Sequence, residues 1–295
     1  MESSERWNQR MYGIAILLVL LSGLLHSIWN LYTKRSLNKV VFLWLTQLVA
    51  ILVFTPLTIV EWDISRMTGL GGFMLLFSML LHGVYVLLLA RTYTVGDFSQ
   101  VYPIMRGTSP LVVPILGTTL LGEHLSSLGW LGVSLIVVSI GFTSNLRWKR
   151  DGSASPQSYR APLLALSVGL CIASYIVVDK IALDYVPAVM LNQATNVGNA
   201  LLLGLAAIRS RAVKSELKIN RKTILLGGIL APGGYMLFLY ALSLAPVAQL
   251  APMREIGTVF GTLMGIFLLK EPQGKQRIGT SILITTGVIL LAMNS

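Results

Sequence analysis

Apolar residues in this chain come in stretches of about twenty, each closed by a short polar or charged connection. A window of about 19 residues finds them at 11–33, 40–60, 69–90, 98–121 and 126–146, and again at 161–178, 187–208, 223–244, 247–269 and 275–293. Twenty helical residues rise about 30 Å, the hydrocarbon thickness of a bilayer. The pattern therefore predicts ten membrane-spanning helices and an all-α integral membrane protein. The sequence RWKRDGSASPQSYR, rich in Ser, Pro and charge, separates two sets of five. This divides the chain into a first five-helix half at 11–146, a linker at 147–160 and a second five-helix half at 161–293.

Polar landmarks repeat between the halves. Gly23 matches Gly169, Lys34 matches Lys180 and Gln47 matches Gln193, each pair 146 residues apart. Further on, Gln100-x-x-Pro103 matches Gln249-x-x-Pro252, Arg106 matches Arg254, and LLGE ending at Glu123 matches LLKE ending at Glu271. Five is an odd number of crossings, so the second copy must enter the membrane the other way up. An inverted repeat about an axis in the membrane plane follows, an arrangement common among secondary transporters.

Composition agrees with lipid as the solvent: 12% of residues are charged and 54% hydrophobic, with mean hydropathy +0.73, whereas soluble domains carry about 25% charged residues. The net charge of +11 raises nucleic acid as a partner, but the basic residues sit in the connections, with no basic stripe interleaved with stacking aromatics. They carry orientation instead. With the N-terminus cytoplasmic, four basic residues would lie inside and seventeen outside. The positive-inside rule thus places both termini outside and the basic stretches 147–160 and 209–222 in the cytoplasm. Cys171 is the single cysteine, so neither an intrachain disulfide nor a Cys-rich metal site is available. The first apolar stretch, interrupted by His26 and Asn30, reads as a retained span and not a cleaved leader.

The segments DFSQVYPIMRGTSPLVVPILGTTLLGE (97–123) and APVAQLAPMREIGTVFGTLMGIFLLKE (245–271) resemble the drug/metabolite transporter superfamily in its ten-span form with two EamA-type domains. The resemblance covers almost the whole chain. It implies a central substrate cavity and a carrier of a small metabolite, and it implies cytoplasmic termini, opposite to the charge argument. Superfamily members carry amino acids, nucleotide sugars, sugar phosphates and amphipathic drugs, so it does not select a substrate.

Polar groups inside spans are costly and default to function. Arg106 and Arg254 are repeat mates, each about five residues into its span and so about 8 Å deep. A guanidinium there suits a carboxylate or phosphate; a clamp on backbone carbonyls, or a pairing of Arg254 with its neighbour Glu255, is the structural alternative. Inverted repeats would set the two arginines near opposite faces, about 14 Å apart along the normal in a core of about 30 Å. Pro103 and Pro252 free carbonyls one turn upstream or merely open a helix, with Gln100 and Gln249 as ligand contacts or caps. His26 and Asn30 share a helix face, and His82 lies four residues after Ser78; either histidine is a candidate for proton coupling or a hydrogen bond between helices. Asn192, Asn196 and Asn199 form an amide stripe that lines a wet cavity or joins helices. These groups, with Tyr102, are expected to face one central cavity. Glu123 and Glu271 are read as interfacial ion pairs or gate residues, and the tryptophans, Trp44 among them, as interface anchors.

No P-loop, HExxH or GxSxG pattern occurs, and no cofactor or metal is implied. The expected function is alternating-access transport of a small polar metabolite, anionic or zwitterionic, by a monomer in the cell (inner) membrane. A lipid flippase using the same arginines is one alternative. An intramembrane enzyme is another, and would need two of His26, His82 and Glu255 within hydrogen-bond reach of one point.

Overall fold

The computed structural model describes residues 2–95, 98–143, 160–269 and 275–293, with the side chains of 2–8, 34–35, 93–94, 98–103, 143, 265–269 and 275–277 excepted. Among the described residues all regular structure is helical: α1 (Glu2–Arg35), α2 (Lys39–Val60), α3 (Gly69–Val95), α4 (Phe98–Leu120), α5 (Ser127–Thr143), α6 (Arg160–Ala182), α7 (Ala188–Arg209), α8 (Val213–Leu244), α9 (Val247–Met253), α10 (Ile256–Leu269) and α11 (Lys275–Ala292). Five segments are long and apolar enough to cross a bilayer: Gln9–Thr33, Lys39–Val60, Gly69–Thr92, Arg160–Ala182 and Val213–Leu244. The 22 residues of α7 have the length, but Asn192, Gln193, Asn196 and Asn199 dilute their hydropathy. The outer surface is apolar, with Leu52, Leu76, Leu201 and Ile282 among the most exposed large side chains. That inverts the arrangement water selects.

Two expectations about elements are corrected. The stretch 247–269, read as one span, is two helices broken at Arg254 and Glu255. Pro252 has no N–H to offer, and the chain closes there in tight turns, with Glu255 N donating to Pro252 O (3.0 Å) and Gly257 N to Arg254 O (3.1 Å). The stretch 209–222 is not a loop: α8 begins at Val213 and bends at Asn220, where φ is −109° and ψ 17°. Glu216 fixes this start. Its fully buried carboxylate accepts from Asn38 N (2.8 Å) and Asn220 Nδ2 (2.6 Å), tying α8 to the N-terminus of α2. A carboxylate is favoured at a helix N-terminus by the dipole.

The main packing contacts join the first half of the chain to the second. α1 lies on α8 and α3 on α6, α2 lies on α7, α4 on α9 and α5 on α11. Small residues make the crossings close, as is general where lipid surrounds helices. At α5 and α11 a Cβ on Gly132 would stand 2.7 Å from the Gly287 carbonyl oxygen, and one on Gly287 would stand 2.7 Å from that of Gly132. Gly122, between α4 and α5, has φ +66°, a left-handed conformation that glycine adopts without steric cost.

Candidate functional site

A partly open cavity of about 90 Å³ lies where the halves meet. His26 and Trp29 of α1, Gln47 of α2, His82 and Tyr85 of α3, Tyr175 of α6, Tyr235 of α8 and Arg254 line it, together with Asn192, Thr195, Asn196 and Asn199 of α7. Its apolar wall includes Leu43, Leu89 and Leu203, which fall within the last two turns of α3 and α7 and the first two of α2. The cavity therefore reaches toward the face that carries the α1–α2 and α7–α8 connections.

The spacing of Asn192, Asn196 and Asn199 puts all three on one side of α7, and all three are buried. Both polar atoms of Asn192, Nδ2 of Asn196, Oδ1 of Asn199 and Oε1 of Gln47 have no hydrogen-bond partner among the described residues. An unsatisfied buried amide group costs about 1–3 kcal/mol. Such atoms around a cavity await hydroxyl, carbonyl or water partners. Asn30 is not part of the lining, to which α1 contributes His26 and Trp29. The side chains of Gln100, Tyr102 and Pro103 lie outside the described residues. Gln249 and Pro252 are buried within α9.

The arginines divide differently from the sequence expectation. Arg106 Nη2 and Glu255 Oε2 form an ion pair at 2.9 Å, with side chains 19% and 9% exposed. Glu255 therefore pairs with Arg106 and not with its sequence neighbour Arg254. The two arginines are thus linked through Glu255, where α4 packs against α9. Arg254 has no carboxylate partner among the described residues. Its Nε donates to Ser22 Oγ (3.2 Å), and its guanidinium carbon sits 4.6 Å from the Phe238 ring centroid and 5.3 Å from that of Tyr235. Cation–π contacts of this kind hold a guanidinium without neutralising it.

The sequence reading missed Asp179, whose carboxyl is fully buried. Oδ1 accepts from Ser78 Oγ, and Oδ2 accepts from Tyr235 Oη and faces His82 Nε2 at 3.0 Å. The expected sixth span ended at residue 178, one short of it, and α6 continues to Ala182. A signal was available, since Ser78 and His82 at helical spacing on α3 need a partner across a helix interface. Neighbouring Lys180 donates to Leu242 O (2.5 Å) and Ala245 O (3.1 Å), closing the C-terminus of α8. Glu123 accepts from the backbone N–H of Val247 (2.8 Å) and Ala248 (2.7 Å). It is an N-terminal cap for α9, where a surface ion pair or gate was expected. Trp44 donates to Ala200 O (3.1 Å), so it joins α2 to α7. His82 and Glu255 take different partners, and the described residues contain no cluster of His, Cys, Asp and Glu fit for a metal ion.

Two halves packed face to face over a polar cavity accompany a repeat in the sequence itself: residues 13–145 and 160–293 each match the EamA-like transporter family. The chain belongs to that family. It is an integral, multi-pass membrane protein, and family membership makes it a transporter. Two curated relatives, from Listeria monocytogenes and Listeria innocua, are each named "Putative sugar uptake protein"; both are 24% identical, over 216 and 214 residues, covering 69% of this chain and 70% of their own. One solved crystal structure superposes with a TM-score of 0.72 at 14% identity, covering 97% of this chain and 96% of the other. At that identity it speaks for the fold alone.

Proposed function

We propose that this EamA-family transporter is a secondary carrier of a small hydroxylated metabolite bearing an acidic group, a sugar acid being the class that suits it best. One observation carries the reading: Arg254 presents a guanidinium without a carboxylate partner among the described residues to a cavity lined by amides of Gln47, Asn192, Asn196 and Asn199 that each keep at least one atom without a hydrogen bond. The charge suits a carboxylate or phosphate, and the amides suit hydroxyls. Arg106 and Glu255 hold the junction beneath, and the names of the Listeria relatives lend support to a sugar-like body.

Alternating access and an inverted repeat of ten crossings belong to the same reading. Support comes from the pairing of α1 with α8 and α3 with α6, and from two glycines that are sequence mates. A Cβ on Gly23 would stand 3.2 Å from Arg254 O, and one on Gly169 would stand 3.0 Å from Met105 O. Each thus approaches the backbone beside one of the two paired arginines. The halves would be the units that rock against each other.

Orientation follows the basic residues. The connections toward which the cavity reaches face the cytoplasm of a cell membrane, with both termini outside. Thiol labelling of single cysteines at Ser210 and Ser65, in a background lacking Cys171, checks this: Ser65 should label in intact cells and Ser210 only after lysis. The reverse pattern would put the termini in the cytoplasm.

The functional test is counterflow of labelled gluconate, glucose and glutamate in liposomes holding the full chain. Gluconate exchange that Arg254→Gln abolishes is the expected result. Movement of glucose alone would remove the acidic group from the reading, and movement of none of the three would leave this substrate class without support.

A further inference from the structure

We propose that His82, Asp179 and Tyr235 form a proton-carrying site that loads one proton for each monovalent anion bound at Arg254. This rests on the transport of an acidic substrate proposed above and adds the coupling.

The geometry fixes where the proton goes. Ionised Asp179 can only accept, and Ser78, Tyr235 and His82 supply its donors, so the His82 ring carries its hydrogen on Nε2. Nδ1 makes no hydrogen bond among the described residues, on a ring that lines the cavity. A proton from cavity water therefore adds at Nδ1, giving an imidazolium beside a carboxylate, and leaves by the same atom. Tyr235 joins this pair to the anion site: its hydroxyl lies 3.3 Å from His82 Nε2 and its ring flanks Arg254.

The charges around the pair decide the stoichiometry. Arg106 of α4 and Glu255 cancel each other. On α1, His26 leans on Trp29 with ring centroids 5.2 Å apart, and no carboxylate faces it. Tyr175 of α6, its ring 3.9 Å from that of His82, and Tyr85 of α3 are neutral phenols at working pH. Lys180 turns away to the end of α8, Cys171 to the Leu81 carbonyl, and α2 and α7 offer amides and hydroxyls only. With His82 neutral, Arg254 and Asp179 leave the cavity at zero net charge. A bound monoanion makes it −1, which a low-dielectric site opposes. One proton on His82 restores zero. A neutral sugar creates no such demand.

The test uses the full chain in liposomes containing a pH-sensitive dye, with labelled gluconate as probe. Net uptake should carry one proton per gluconate and quicken as the outside is acidified, whereas gluconate–gluconate exchange should need no proton. Asp179→Asn should lower net uptake by about tenfold or more while exchange persists, a split that mere loss of structure does not produce. Wild-type gluconate entry without protons overturns the proposal, as does acid-stimulated net uptake in Asp179→Asn. If that variant does not fold, the wild-type proton count decides alone. Failure of wild-type gluconate to move in either mode, with glucose moving, removes the anion and the coupling with it.

Discussion

Replacing Glu255 by Gln keeps the shape of the α9–α10 break and removes the counter-charge of Arg106. The pair is close, 2.9 Å, and mostly enclosed. Unit charges 4 Å apart attract by about 4 kcal/mol at an effective dielectric of about 20, and losing one partner of a buried pair costs about 3–5 kcal/mol. Arg106 keeps 19% of its side chain exposed, so solvent recovers part of this, and Glu255→Gln should destabilise the protein by about 2–3 kcal/mol. Arg106→Met with Glu255→Gln removes both charges and should lose only about 1 kcal/mol, giving a coupling of about 2 kcal/mol or more in a double-mutant cycle. The assay is equilibrium unfolding of the purified chain in mixed micelles. A parallel cycle on Arg254 and Glu255 should give a smaller coupling, although these residues are neighbours in sequence. Additive losses in the first cycle, or a coupling in the second that equals or exceeds it, would refute the assignment of Glu255 to Arg106.

Arg254→Gln should weaken gluconate binding by about 10- to 100-fold, the worth of a charge-assisted hydrogen bond of about 1.5–3 kcal/mol, and Arg254→Lys should restore only part of it; equilibrium binding to the purified protein reads both. Asn192→Leu fills the polar wall with an apolar side chain and should raise stability slightly while weakening gluconate binding about tenfold or more, so unfolding and binding measured on one sample should move in opposite directions. Glu123→Ala removes the acceptor of two N–H groups at the start of α9 and should cost about 1–2 kcal/mol in unfolding measurements. Gly132→Val places methyl groups against the Gly287 carbonyl and should cost about 1–3 kcal/mol, with Gly141→Val, whose Cβ would meet open space, nearly silent in the same measurement.

Much of the architecture was legible because lipid imposes a strong rule: each crossing needs a long apolar helix, and hydropathy along the chain reveals it. The helix ends were less legible. At 213–222 a run of basic residues hid a helix start, because Glu216, buried against α2, supplies a reason for helix that local composition does not. The break at Arg254 and Glu255 was half visible in Pro252, but a proline marks a weak point without saying whether the chain bends there or continues.

Of the site, the sequence by itself determined which groups are out of place in lipid: two arginines, two histidines and a stripe of asparagines at helical spacing. Only the tertiary structure decided their partners. Glu255 stands next to Arg254 in the chain and pairs with Arg106 across helices, because the packing of α4 on α9 selects which side chain of the break faces it. Asp179 lay one residue beyond an apolar stretch that ended at 178, and it became the centre of a buried network because Ser78, His82 and Tyr235 converge on it from two other helices. Spacing along one helix fixes a face, whereas charge pairing depends on which faces meet, and that is set by packing between halves more than a hundred residues apart.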